Sequence, residues 1–116
     1  MRGEIVSKIA SVEGVLWSAI TSNEGFVEEV RGVPAKFLES TASLLPSMIE
    51  SVAPILSNVN LGEENIVTII GESGTIAISR VNSQYSLVTQ MDDGANIGLI
   101  RRIMSDSVER LRPIMP

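Results

Sequence analysis

The sequence predicts one α+β domain, a five-stranded antiparallel sheet with helices packed on it. Three observations predict it. Apolar periodicity runs in the order α-β-β-α-β-β-β-α along the chain. The last three strand-like segments are separated by short turns, which suit an antiparallel meander. The 116 residues carry no linker, repeat or low-complexity tract, as expected of a single domain over 1–116.

The first segment, GEIVSKIASV, places Ile5, Ile9 and Val12 on one helical face, with Val6 beside it, and stops before Gly14. VLWSAITS, residues 15–22, is rich in β-branched and apolar residues and reads as a strand. Asn23-Glu24-Gly25 supplies a turn, because Asn and Gly tolerate positive φ, and FVEEVR returns as the second strand of a hairpin. Gly32 breaks that strand, and Pro34 suits a first helical position. From Ala35 to about Leu56 the spacing is helical. Phe37, Thr41, Leu44, Met48, Val52 and Ile55 form the stripe. Leu38, Leu45, Ile49 and Leu56 widen it beyond what contact with one sheet requires, so this helix is expected to touch a second surface. Pro46 and Pro54 each lack an N–H and crowd the preceding turn, which predicts a kink near 42–46 and a kink or early end near 50–54.

NVNLGEEN is a loop, in which Glu63 and Glu64 read as solubilising residues. The run that follows splits at Gly-Glu-Ser-Gly (71–74) and at Asn82-Ser83 into strands 65–70, 75–81 and 84–91. The middle strand alternates Ile76 and Ile78 against Thr75, Ala77 and Ser79. The first is apolar on both faces, Ile66 and Ile70 on one, Val67 and Ile69 on the other. Such a strand is normally covered on both sides, and at a sheet edge it invites pairing with another strand. From about Ala95 to Leu111, Ile97, Ile100, Met104, Val108 and Leu111 make a helical stripe that Pro113 ends.

Composition removes several kinds of function. With no Cys and no His, the chain has no thiolate, no disulfide and neither the commonest general base nor the commonest transition-metal ligand. A net charge of -5 argues against binding nucleic acid through phosphate neutralisation. No apolar run approaches a membrane span, and MRGEIVSKIA lacks a signal-peptide core, so no membrane insertion and a cytoplasmic setting are expected. Charge is uneven: residues 1–95 hold five basic and twelve acidic side chains, residues 96–116 four Arg against two acids. The basic last helix is either a partner-facing surface or a solvated face that balances the helix C-terminus.

The stretch richest in apparent chemistry is DDGANIGLIRR, 92–102. Asp92 and Asp93 could contribute to a Mg²⁺ site, which needs one or two carboxylates plus waters and substrate phosphates. That would make the chain a Mg²⁺-dependent enzyme acting on a phosphorylated substrate. No phosphate-loop pattern GxxxxGK[ST] exists, however, and GANIG follows a meander instead of opening a βαβ unit. The simpler reading is architectural: Asp92 or Asp93 caps the last helix, and Gly98 lets its first turn lie close to the sheet. Serines are plentiful but lack a His or evident Lys partner, so no nucleophile is indicated. We expect no catalytic residue, no cofactor and no metal. Trp17 and Tyr85 read as core or interface anchors.

VEGVLWSAITSNEGFV (12–27), GESGTIAI (71–78) and GANIGLIRR (94–102), in that order, resemble the motifs of the roadblock/LC7 (dynein light chain-like) family. Gly14, Val15 and Gly25 match its hairpin, Gly74 its strand pair, and Asn96, Gly98, Leu99 and Arg101 its last helix start. The match covers nearly the whole chain and departs at Trp17, Ser18 and the two prolines of the second helix. The resemblance implies a fold related to profilin and longin domains. It implies a homodimer whose edge strands pair through Ile66, Val67, Thr68, Ile69 and Ile70, with Leu44 and Met48 of the second helices side by side. It implies a non-catalytic module that regulates or scaffolds a small Ras-like GTPase, or joins another roadblock-family protein. The partner would lie across the second helix at Lys36, Glu39, Ser43, Ser47 and Glu50. The alternative is a small-molecule sensor of related α+β fold, with Trp17 or Tyr85 lining its pocket.

Overall fold

The computed structural model describes residues 1–34, 36 and 38–116. Helix α1 (Arg2–Ala10) leads into a hairpin of β1 (Val15–Ser22) and β2 (Val27–Gly32). Helix α2 (Leu38–Asn58) follows, then the meander β3 (Val67–Gly71), β4 (Gly74–Arg80) and β5 (Tyr85–Asp92). Helix α3 (Ile97–Leu111) ends in a short 3-10 turn, Arg112–Ile114, around Pro113. The five strands form one sheet in the order β2-β1-β5-β4-β3, with every neighbouring pair antiparallel. The predicted element order and sheet are therefore present. What joins hairpin to meander is the β1–β5 ladder, from Val15 opposite Met91 to Ser22 opposite Tyr85.

Alternation along the strands divides the side chains between two faces. On one, Ile20, Leu87, Met91 and Ala77 pack with Ile5, Val6 and Ile9 of α1 and Ile100, Met104, Val108 and Leu111 of α3. All of these are buried, so this face is sealed from β1 to β4. Glu29 fastens α1 to the hairpin from outside, taking Arg2 at 3.5 Å and Arg31 at 2.7 Å. On the other face lie Trp17, Ala19, Val88 and Ile78, covered by Leu38 and Leu45 of α2. Trp17 is buried and donates its indole N–H to Gln90 Oε1 at 2.6 Å, which satisfies the one polar atom of an otherwise apolar anchor.

Several expectations need correction. The cap of α3 is Asn96, whose Oδ1 accepts from Leu99 N at 3.0 Å; neither Asp92 nor Asp93 holds that position. Asp92 instead accepts from Gly94 N at 3.0 Å, closing the turn before the helix. Gly98 is exposed, and a methyl there would meet nothing nearer than Asn96 Oδ1 at 3.7 Å, so it does not bring the helix to the sheet. The close approach is at Gly14, φ +91°, where an added Cβ would lie 2.7 Å from Ala95 Cβ. Helix α2 does not end early at Pro54; it runs through both Pro46 and Pro54 to Asn58. Each ring removes only one donor from a helix of 21 residues, and neighbouring turns continue on either side. The expected start of this helix at Ala35 and Phe37 lies outside the described residues. Glu64 is not a solubilising loop residue: it is buried and forms an ion pair with Arg80 of β4, which ties down the loop before β3.

A candidate interaction surface on the second helix and the third strand

Helix α2 buries only Leu38, Ala42 and Leu45. Past Leu45 no residue of the helix is fully buried, and Leu44 and Ile55 stand 67% and 64% exposed. Leu44, Met48 and Ile55 sit four and seven residues apart, hence on one flank. Met48 is half-buried against the Trp17 cluster, as is Ile76 of β4. Ile76 is the cross-strand neighbour of Ile69, so this flank of the helix and the outer strand share one apolar face. Val59 and Leu61 extend the exposed apolar surface into the α2–β3 loop, at 59% and 68%. Both lie in the segment expected from the sequence only to be a loop.

The outer strand is β3, which has β4 on one side and, among the described residues, no strand on the other. Val67 and Ile69 point to the α2 face, Thr68 and Ile70 to the α1/α3 face. Ile66 precedes the strand and packs against the α1/α3 core. Ile69 is 48% and Ile70 70% exposed, so the strand apolar on both faces is covered fully on neither. The Thr68 hydroxyl is buried without a hydrogen-bond partner, which is uncommon for a folded chain. The opposite edge is unlike it: β2 carries Glu28, Glu29 and Arg31 and ends at Gly32, features that discourage pairing.

Glu39, Ser43, Ser47 and Glu50 are all exposed, and their spacing places them on the flank of α2 away from Leu44 and Met48. Lys36 lies just before the helix and is also exposed. The structure therefore separates the two predicted residue sets onto two flanks of one helix. Ser43 sits over the hairpin tip: a Cβ at Gly25 would come within 2.9 Å of Ser43 Cα. Its hydroxyl donates to Ser40 O at 2.6 Å. Beyond Ser43, Leu45, Pro46, Ile49 and Glu50 form one wall of a cleft of about 220 Å³. The ends of β1, β4 and β5 form the rest, Tyr85 included. Among the described residues no group of three or more acids is arranged to hold a metal. No helix of the described residues is long and apolar enough to cross a membrane. Arg101, Arg102 and Arg110 are exposed on α3, without an ion pair among the described residues.

Comparison with solved structures places this arrangement. The chain is similar to the roadblock/LC7 domain of Streptomyces avermitilis, 18% identical over 97% of this chain and 95% of that one, with a TM-score of 0.84. It is similar to Myxococcus xanthus MglB, 16% identical over 97% and 93%, with a TM-score of 0.87. The chain has the roadblock/LC7 fold. The resemblance read from its hairpin and last-helix motifs holds at the level of fold. Acanthamoeba castellanii profilin IB is also similar, 11% identical over 98% of both chains, with a TM-score of 0.73. The roadblock fold is thus profilin-like, as expected, and a fold shared so widely does not assign a function by itself. No family model and no curated protein matches the sequence.

Proposed function

We propose that this chain is a non-catalytic, homodimeric interaction module that regulates or scaffolds a small Ras-like GTPase. The observation that carries the reading is the exposed apolar surface of β3, at Ile69 and Ile70, beside the Leu44–Met48 flank of α2, in a roadblock fold. Two β3 strands, each with one open edge, extend the sheet across a two-fold axis and cover Ile69 and Ile70. The α2 helices then meet through Leu44 and Met48. Glu39, Ser43, Ser47 and Glu50 remain outward on both copies as a surface for the GTPase, with Lys36 at its edge. The cytoplasm is the setting this partner implies.

Sedimentation velocity at micromolar concentration tests the dimer, and a monomer there would overturn it. Ile69→Lys places a charge in the seam and is expected to give monomer or insoluble protein; a fully stable dimer would remove the edge-pairing model. Affinity capture with this chain as bait, followed by mass spectrometry, is expected to recover a small GTPase. One observation favours a second reading, a small-molecule sensor: Tyr85 lines the cleft beside α2, whereas Trp17 is buried and committed to Gln90. A metabolite retained in native mass spectrometry would support that alternative.

A further inference from the structure

We infer that the cleft between α2 and the hairpin tip receives a basic side chain, Lys or Arg, of the partner protein. This rests on the reading that the outward flank of α2 meets a partner. The wall is apolar, from Leu45, Pro46 and Ile49, and Glu50 stands on the rim. The floor is the cross-strand pair Thr21 and Ser86. These residues are 2% and 8% exposed, line the cleft, and show no side-chain hydrogen bond among the described residues, so their hydroxyls are open to the cleft. Two hydroxyls on the floor of a cleft, uncommitted within the described chain, can each accept from a cationic N–H of an occupant.

Charge gives the sign of that occupant. Among the described residues of the lining the cation is Arg80, which is matched by the buried Glu64. A second depression, about 280 Å³, adjoins the first across Ser22 and Tyr85 and adds Glu24, Glu28 and Phe26. Glu24, Glu28 and Glu50 form no ion pair among the described residues, so the combined site is a net anion. Phe26, 64% exposed, offers an apolar anchor beside those acids. An aliphatic stem ending in a cation fits such a site, its methylenes against Leu45 and Ile49 and its head at Glu50 or the floor hydroxyls. An open site with an exposed aromatic favours a protein segment that can span both depressions over a free amine.

The test is an amide NMR titration of the full chain with acetyl-Arg-Leu-Arg-amide, and separately with spermidine. The tripeptide is expected to shift the amides of Thr21, Ser86 and Glu50 to saturation. Removing one rim charge, by Glu50→Gln or Glu28→Gln, is expected to weaken it about threefold, while Glu72→Gln at the β3–β4 turn changes nothing. Shifts scattered over all exposed acids, or binding indifferent to Glu50→Gln and Glu28→Gln, would overturn the inference. So would spermidine saturating the same amides at lower concentration, which would make the cleft a small-amine site. A captured GTPase bound equally by the unaltered chain and the Glu28→Gln/Glu50→Gln variant would remove the cleft from the interface while leaving the proposed function standing. Tripeptide binding without any GTPase would do the reverse.

Discussion

On one face of the sheet, α1 and α3 bury a continuous apolar core whose members are nearly all at or below 2% exposure, from Ile5 to Leu111. On the other, α2 buries three residues and leaves Leu44 and Ile55 largely in water and Ile69 about half exposed. Both helices have apolar residues at helical spacing, and α2 is the longer and more apolar of the two. The difference lies in what each apolar stripe meets within the chain. The stripe of α3 is narrow and, from Ile100 to Leu111, absorbed by the sheet and α1, whereas that of α2 is wider than one sheet contact can cover. A sealed face carries stability, and an over-wide stripe left open is the surface on which the proposed dimer rests.

Substitutions on the two faces should therefore differ in kind, and the largest effect belongs to the sealed side. Ile100→Ala empties a fully buried position and is expected to cost about 2–5 kcal/mol in urea denaturation. A loss under about 1 kcal/mol would mean that this face is not the stable one. Gly14→Ala forces a side chain into left-handed backbone against Ala95, an expected cost of about 1–3 kcal/mol by the same measurement. Asn96→Ala removes the cap of α3 and should cost about 1 kcal/mol, with Asp93→Ala close to neutral; the reverse ranking would restore the aspartates as the cap. Smallest is Leu44→Ser on the open face, expected within about 0.5 kcal/mol of the unaltered chain at concentrations where it sediments as monomer. A cost matching Ile100→Ala would show that α2 is sealed after all.

Much of the fold was legible because periodicity and turn chemistry are local. The strand 15–22 coincides with β1, and the other strands and helices deviate by only a few residues at their ends. The excess apolar width of α2 and the two-sided apolarity of β3 were also readable, and both became the exposed surface. Details that depend on which atoms meet were not. Asp92, Asp93 and Asn96 are all good capping residue types, and only the path of the turn put Asn96 at the helix start. Glu64 follows another Glu in a polar loop; its burial depends on Arg80, sixteen residues on. The cleft at Thr21 and Ser86 could not be read, because its floor comes from β1 and β5 and its wall from α2.

The sequence by itself determined the element order, the antiparallel sheet, the absence of Cys and His chemistry and the excess of apolar surface, because these follow from residue type and spacing along one segment at a time. Only the tertiary structure decided that β5 lies between β1 and β4 and that β3 is an open edge. It alone sorted Leu44 and Met48 from Glu39 and Glu50 on opposite flanks of one helix, and set the hydroxyls of Thr21 and Ser86 at the floor of a cleft. Those facts join residues far apart in the chain, and the free energy of covering apolar surface and satisfying polar groups is fixed by that joining.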